Sequence, residues 1–174
     1  MISPSNRFLQ FVIVAGILTV GLNACNKDRQ VCLTPKTASM YIESMHLPKD
    51  TSTVEIDTAL PSAVFTAITL GGDKSFQYTT PSASFTLSLS PVADSCVWLL
   101  TPDSTGTSAT DTLTFYYSRE VKFISNACGF TTFFQLDSAH TTRNNITGIT
   151  INNTSVTNNA NVAKHIKLHI KPNF

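Results

Sequence analysis

Four cysteines, Cys25, Cys32, Cys96 and Cys128, and four histidines are the side chains of this 174-residue chain best suited to covalent or metal chemistry. A thiol can be acylated or cross-linked to a second thiol, and Cys25 stands directly after a long apolar run and the small residue Ala24. His165 and His169 suggest a metal pair, but four residues apart on an extended strand they are separated by about 13 Å. Zinc binds imidazole nitrogen at about 2.0–2.1 Å, so both cannot hold one ion without a sharp bend. With Lys167 and Lys171 they read instead as an outward basic face, suited to lie near anionic lipid head groups. Nucleophilic catalysis would need a serine or cysteine beside a base and an oxyanion hole. No Gly-x-Ser-x-Gly elbow occurs, His46 and His140 have no neighbouring signature, and no glycine loop could cradle a phosphate. The acidic residues are too few and scattered to nominate a pair for glycoside hydrolysis. The expectation is a protein that is not an enzyme, with no cofactor and no metal.

The segment that leads to Cys25 has the layout of a secretory signal: a basic residue, Arg7, an apolar run from Phe8 to Leu22, then small residues. That run spans roughly 15 residues and contains Gln10 and Thr19, whereas a bilayer-spanning helix needs about 20 apolar residues. Residues 1–24 are therefore expected to be a cleaved signal peptide. Leu22-Asn23-Ala24-Cys25 resembles the lipobox of bacterial lipoproteins, in which the cysteine thiol takes a diacylglycerol and its new amino terminus is acylated. The resemblance implies lipidation at Cys25. One acyl chain binds a membrane only marginally, and several anchor it stably.

The whole chain is 42% hydrophobic but only 13% charged, and rich in Thr, Ser and Asn. Low charge with many hydroxyls suits an extracytoplasmic β protein. A net charge of +1 offers no basic excess for phosphates, so nucleic acid is excluded as a partner. In an oxidising compartment two of Cys32, Cys96 and Cys128 could pair. Cys96 lies inside an apolar strand segment and reads as a buried thiol. Cys32 lies in a polar segment and Cys128 in the turn-like Ser125-Asn126-Ala127-Cys128-Gly129. That placement favours the pair Cys32 and Cys128, with the other two pairings and three free thiols still open.

Elements that would carry these residues are short runs rich in Val, Ile, Thr, Phe and Tyr between turn-forming clusters. Strands are expected over Ser39 to His46, Thr53 to Thr58, Ala63 to Thr69, Ser75 to Thr80 and Ser84 to Ser90. Others are expected over Ser95 to Thr101, Asp111 to Ile124, Phe130 to Asp137, Ile146 to Ile151 and Lys164 to Ile170. Phe85, Leu87 and Leu89 share one face, as do Ile166, Leu168 and Ile170, so each strand has one side that packs and one that meets water. Phe133 and Phe134 must point to opposite faces. Gly71-Gly72-Asp73 suits a hairpin turn, Thr101 to Thr110 a loop, and Asn152 to Asn161 a polar, mobile tract. About nine or ten strands over residues 39–174 imply an all-β, immunoglobulin-like or related antiparallel sandwich. Residues 25–38 form the lipidated amino terminus and tether.

The run from Asp111 to Phe130, Asp-Thr-Leu-Thr-Phe-Tyr-Tyr-Ser-Arg-Glu-Val-Lys-Phe-Ile-Ser-Asn-Ala-Cys-Gly-Phe, resembles the signature of a family of small Bacteroidetes-type lipoproteins of unknown function. The resemblance implies a disulfide between Cys32 and Cys128, which would close a loop of about 100 residues. It implies residence in the cell envelope at the outer membrane, and Asn26-Lys27-Asp28-Arg29, with one acid between two bases, points to the periplasmic face. It also implies O-glycan acceptors at Asp-Ser or Asp-Thr followed by an apolar residue, here Thr58, Thr112 and Ser138. With Cys32 fixed, only about six residues separate the lipid from the domain, a reach of roughly 20 Å. A membrane protein is then the expected partner. Arg119, inside an otherwise apolar strand, is either an edge charge that discourages aggregation or a ligand for a partner's carboxylate or carbonyl. The expected role is a noncatalytic interaction subunit of an outer-membrane assembly. The alternative is a ligand-binding, glycan-directed module using Tyr116, Tyr117 or Phe134 as exposed aromatics.

Overall fold

The computed structural model describes residues 31–35, 37–48, 54–68, 74–159 and 163–171. The signal segment, Cys25, Asn26-Lys27-Asp28-Arg29 and the Gly71-Gly72-Asp73 turn lie outside the described residues. Contacts divide the chain into residues 1–32 and residues 33–174, and every described strand belongs to the second unit. In chain order these are β1 (Ser39–His46), β2 (Ile56–Asp57), β3 (Val64–Ala67), β4 (Lys74–Gln77), β5 (Ser84–Ser88) and β6 (Ser95–Thr101). They continue with β7 (Asp111–Ser125), β8 (Gly129–Thr141), β9 (Ile146–Ile151), β10 (Ser155–Val156) and β11 (Ile166–Ile170). No helix occurs among the described residues.

Two sheets stack as a sandwich-like all-β fold. One runs β2-β1-β11-β9, with β5 also paired to β1, and the other runs β10-β8-β7-β6-β3-β4. Alternation builds the core between them: Met40 and Ile42 from β1, Phe85 and Leu87 from β5, and Ile166, Leu168 and Ile170 from β11 are buried. From the facing sheet come Phe65, Cys96, Trp98, Leu100, Leu113, Phe115 and Tyr117. Phe65 of β3 meets Phe85 of β5 with ring centroids 5.0 Å apart and planes tilted by 50°, an aromatic contact that adds to plain area burial.

Three departures from the sequence expectation have physical reasons. The sandwich is not antiparallel throughout, because β1 and β11 pair in parallel from Ile42 opposite Ile166 to Met45 opposite His169. Parallel neighbours need a long crossover, and the first and last strands have almost the whole domain between them. Second, the Asn-rich tract is not simply a loop: β10 pairs with β8 at Gln135 and Phe134, and Val156 is fully buried. A two-residue strand is too short to show periodicity. Third, β8 carries one extra residue, since Tyr116 faces Ser138 while Tyr117 faces Leu136, leaving Asp137 without an opposite number. The bulge resets alternation, so that Phe134 and Leu136 are buried and Ala139 still packs on the core.

Candidate interaction surface

β7 begins inside the sandwich and ends outside it, and β8 returns from the turn into the sandwich. Leu113, Phe115 and Tyr117 are buried, but from Ser118 to Val121 every residue is exposed. The two strands stay paired to the turn, with Val121 opposite Thr132 and Phe123 opposite Phe130. Cross-strand partners share a face, as do residues two apart, so Val121, Phe123 and Phe130 line one side. They are 67%, 56% and 69% exposed. The two rings meet edge-on with centroids 5.2 Å apart. At the turn, Cys128 N–H donates to Ser125 Oγ over 3.1 Å, and Gly129 has φ +73°, a left-handed conformation that glycine adopts without steric cost.

Cys32 and Cys128 are both disulfide-bonded, as the resemblance implied. Cys96 is a free, buried thiol whose pKa burial pushes up to about 11. A thiol so rarely ionised is a poor nucleophile, in keeping with its packing role.

Arg119 does bind a carboxylate and a backbone carbonyl, and both belong to its own chain. Its Nε donates to Asp94 Oδ1 over 2.6 Å and its Nη1 to the Pro91 carbonyl over 2.8 Å. Two residues earlier, the Tyr117 hydroxyl accepts from Ser90 N–H over 2.8 Å and donates to the Ser90 carbonyl over 3.3 Å. Together they fasten the 90–94 loop to the root of the ribbon. Beside it, Thr37, Leu89, Pro91, Thr132 and Phe134 line a shallow groove of about 330 Å³. Glu120, on the opposite face from Arg119, pairs with Lys122. Such an exposed pair contributes little stability.

The platform expected of Tyr116, Tyr117 and Phe134 does not form. Tyr117 and Phe134 are buried against each other, rings 5.3 Å apart and nearly perpendicular, and only Tyr116 remains exposed at 44%. Tyr116 lies edge-on to His140. Phe133 faces away from Phe134 and is partly buried. Of the three hydroxyls in glycan-acceptor triplets, Thr58 Oγ1 hydrogen-bonds His46 Nδ1 at 2.6 Å. Thr112 lies in β7 opposite Leu99, and Ser138 lies beside the β8 bulge. The three are dispersed over the domain.

The expected basic face is not a solvated one. Lys167 and His169 both meet Glu55, at 3.9 and 2.6 Å, while Lys171 Nζ donates to the Arg143 and Asn144 carbonyls. His165 is fully buried. Its Nδ1 accepts the Tyr41 N–H over 2.9 Å, which fixes the tautomer, so Nε2–H donates to the Ser155 carbonyl over 3.1 Å. One ring thus ties β1 and β11 of the first sheet to β10 of the second. Among the described residues no three metal-ligating side chains gather.

Burial lowers the His165 pKa, the hydrogen bond to Ser155 offsetting this only in part. The unfolded chain therefore takes up a proton at this ring before the folded one does, and stability falls as pH drops below about 6.5, the ordinary histidine value. The limiting slope is about 1.4 kcal/mol per pH unit. Urea unfolding at pH 7.5 and 5.5 should show a larger loss for the native chain than for His165→Asn. Equal losses would assign the acid sensitivity elsewhere.

Neither curated proteins nor solved structures yield a match to this chain. A family model does match, over residues 63–170, which takes in β3 to β11, the ribbon with Arg119 and the Cys128 turn. The chain belongs to that family, described as a family of unknown function (DUF6452).

Proposed function

We propose that this protein is a noncatalytic interaction subunit of an outer-membrane assembly, a lipoprotein of Bacteroidetes type anchored through Cys25 on the periplasmic face. The observation that carries this reading is the β7–β8 ribbon, which extends past the core with both faces open, Val121, Phe123 and Phe130 exposed on one and Tyr116, Ser118 and Glu120 on the other. Scattered apolar side chains on a surface need no explanation, but a contiguous group on a projecting element marks an interaction site. Burial of Tyr117 and Phe134, two of the three aromatics that the glycan-binding alternative would use, disfavours that alternative. The signal layout and the cysteine that follows it support the anchor.

Cys25→Ala should leave the protein unprocessed or release it from membranes in soluble form. In the native strain, mild crosslinking of membranes followed by affinity purification and mass spectrometry should recover a membrane protein in stoichiometric amount. A Cys25→Ala chain that fractionates and migrates unchanged removes the anchor. Recovery of no stoichiometric partner removes the assembly role.

A further inference from the structure

Continuity links the exposed tip to the amino terminus. Phe123 and Phe130 flank the turn that holds disulfide-bonded Cys128, and disulfide-bonded Cys32 follows Cys25 by only six intervening residues. Fully extended, those residues reach roughly 20 Å. A lipid on Cys25 would thus hold its membrane within a short leash of the disulfide at the ribbon tip. We propose that the face formed by Val121, Phe123 and Phe130 rests in the head-group and upper acyl region of the bilayer that carries the anchor, as a second, noncovalent membrane contact. This rests on the lipid-anchor reading above.

The chemistry of the tip fits that occupant. Phenylalanine and valine are set among Ser125, Asn126, Thr131 and Thr132, a mixture of apolar and hydrogen-bonding groups that matches an interface better than a dry core. No carboxylate occurs between Val121 and Phe133, and Glu120, just before them, lies on the opposite face and is paired with Lys122, so anionic head groups meet no unpaired like charge there. A protein occupant fits this one face less well, and the assembly partner proposed above has the ribbon's other face, with Tyr116, Ser118 and Glu120, to engage. Three partly exposed side chains on a two-stranded ribbon fall far short of the roughly 800 Å² per partner of a stable protein interface. An anchored chain needs no such area, because tethering makes the second contact intramolecular.

The test uses the mature, lipidated chain carrying Phe123→Trp, reconstituted in phosphatidylethanolamine and phosphatidylglycerol vesicles with or without brominated acyl chains. Trp98 is fully buried and supplies the internal reference. The emission added by the new indole should be quenched about twofold by bromine, as for a ring about 5–10 Å deep at the interface, with Phe130→Trp behaving alike. Emission that stays water-like while the acylated chain floats with the vesicles overturns the inference and leaves the anchor standing. A blue shift insensitive to bromine assigns the face to a second copy or another protein and also overturns it. A chain that carries no acyl adduct and does not float removes the anchor and the inference together.

Discussion

Asp111→Ala should lower the free energy of unfolding by about 3 kcal/mol, the scale of several charge-assisted hydrogen bonds lost from a buried anion. The Asp111 carboxylate is fully buried at the start of β7. It accepts from Thr142 Oγ1 over 3.0 Å, from the Asn144 and Asn145 backbone N–H groups over 2.8 Å each, and from Asn145 Nδ2 over 3.1 Å. Those donors belong to the 142–145 segment that turns the chain from β8 in one sheet to β9 in the other, so the anion fixes the crossing between layers. Lys171 grips the same segment from the opposite polarity, through the Arg143 and Asn144 carbonyls. Asp111→Asn keeps the shape but presents two N–H donors where one oxygen received protons, and should cost about 2 kcal/mol as donors are left facing donors. Urea unfolding of the two variants measures both numbers. A loss under about 0.5 kcal/mol for Asp111→Ala, the range of an ordinary surface change, would mean that water replaces the carboxylate.

Asp111 also shows where sequence reasoning stops. Nothing around it in sequence marks its structural role, because its partners lie some thirty residues away in a loop with no local signature. The strands themselves were legible because burying one face forces alternation: Ser84–Ser88 alternates exposed and buried, and Ile166–Ile170 buries every second residue. Alternation then misled at His165, which the pattern of β11 assigned to water. The reason is β10, whose Ser155 carbonyl accepts the hydrogen bond from His165 Nε2–H and whose Val156 reaches the core. One strand, too short to show periodicity, thus accounts for both the pairing of the Asn-rich tract and the burial of the histidine. Arg119 was legible as an anomaly in an apolar run, but its acceptors, Asp94 and Pro91, come from a loop that only tertiary structure brings to β7. Likewise Tyr116 and Tyr117 look alike as sequence, and the position of the β8 bulge beside them was invisible. The tip needed two facts together: the ribbon register that sets Phe123 opposite Phe130, and the end of core packing at Ser118.

Breaking the disulfide should destabilise the domain by about 4–5 kcal/mol, the chain-entropy value for a closed loop of about 100 residues. That is a large share of the 5–15 kcal/mol that keeps a typical domain folded. The effect lies in the unfolded state, which gains freedom when the cross-link is absent, so the sandwich core itself need not change. Cys32→Ser and Cys128→Ser should therefore cost the same, and the double variant no more than either one, because both remove one bond. Nonadditivity of this kind is expected only for residues that act as a unit. Reduction of the native chain should bring it to the stability of the variants, while Cys96, a buried thiol with a raised pKa, stays unreactive until the chain unfolds. Urea unfolding with and without dithiothreitol, with alkylation of thiols at each denaturant concentration, reads all of these quantities. Additive losses in the double variant would show that Cys32 and Cys128 do not bond to each other, and the short leash between lipid and ribbon tip would go with them.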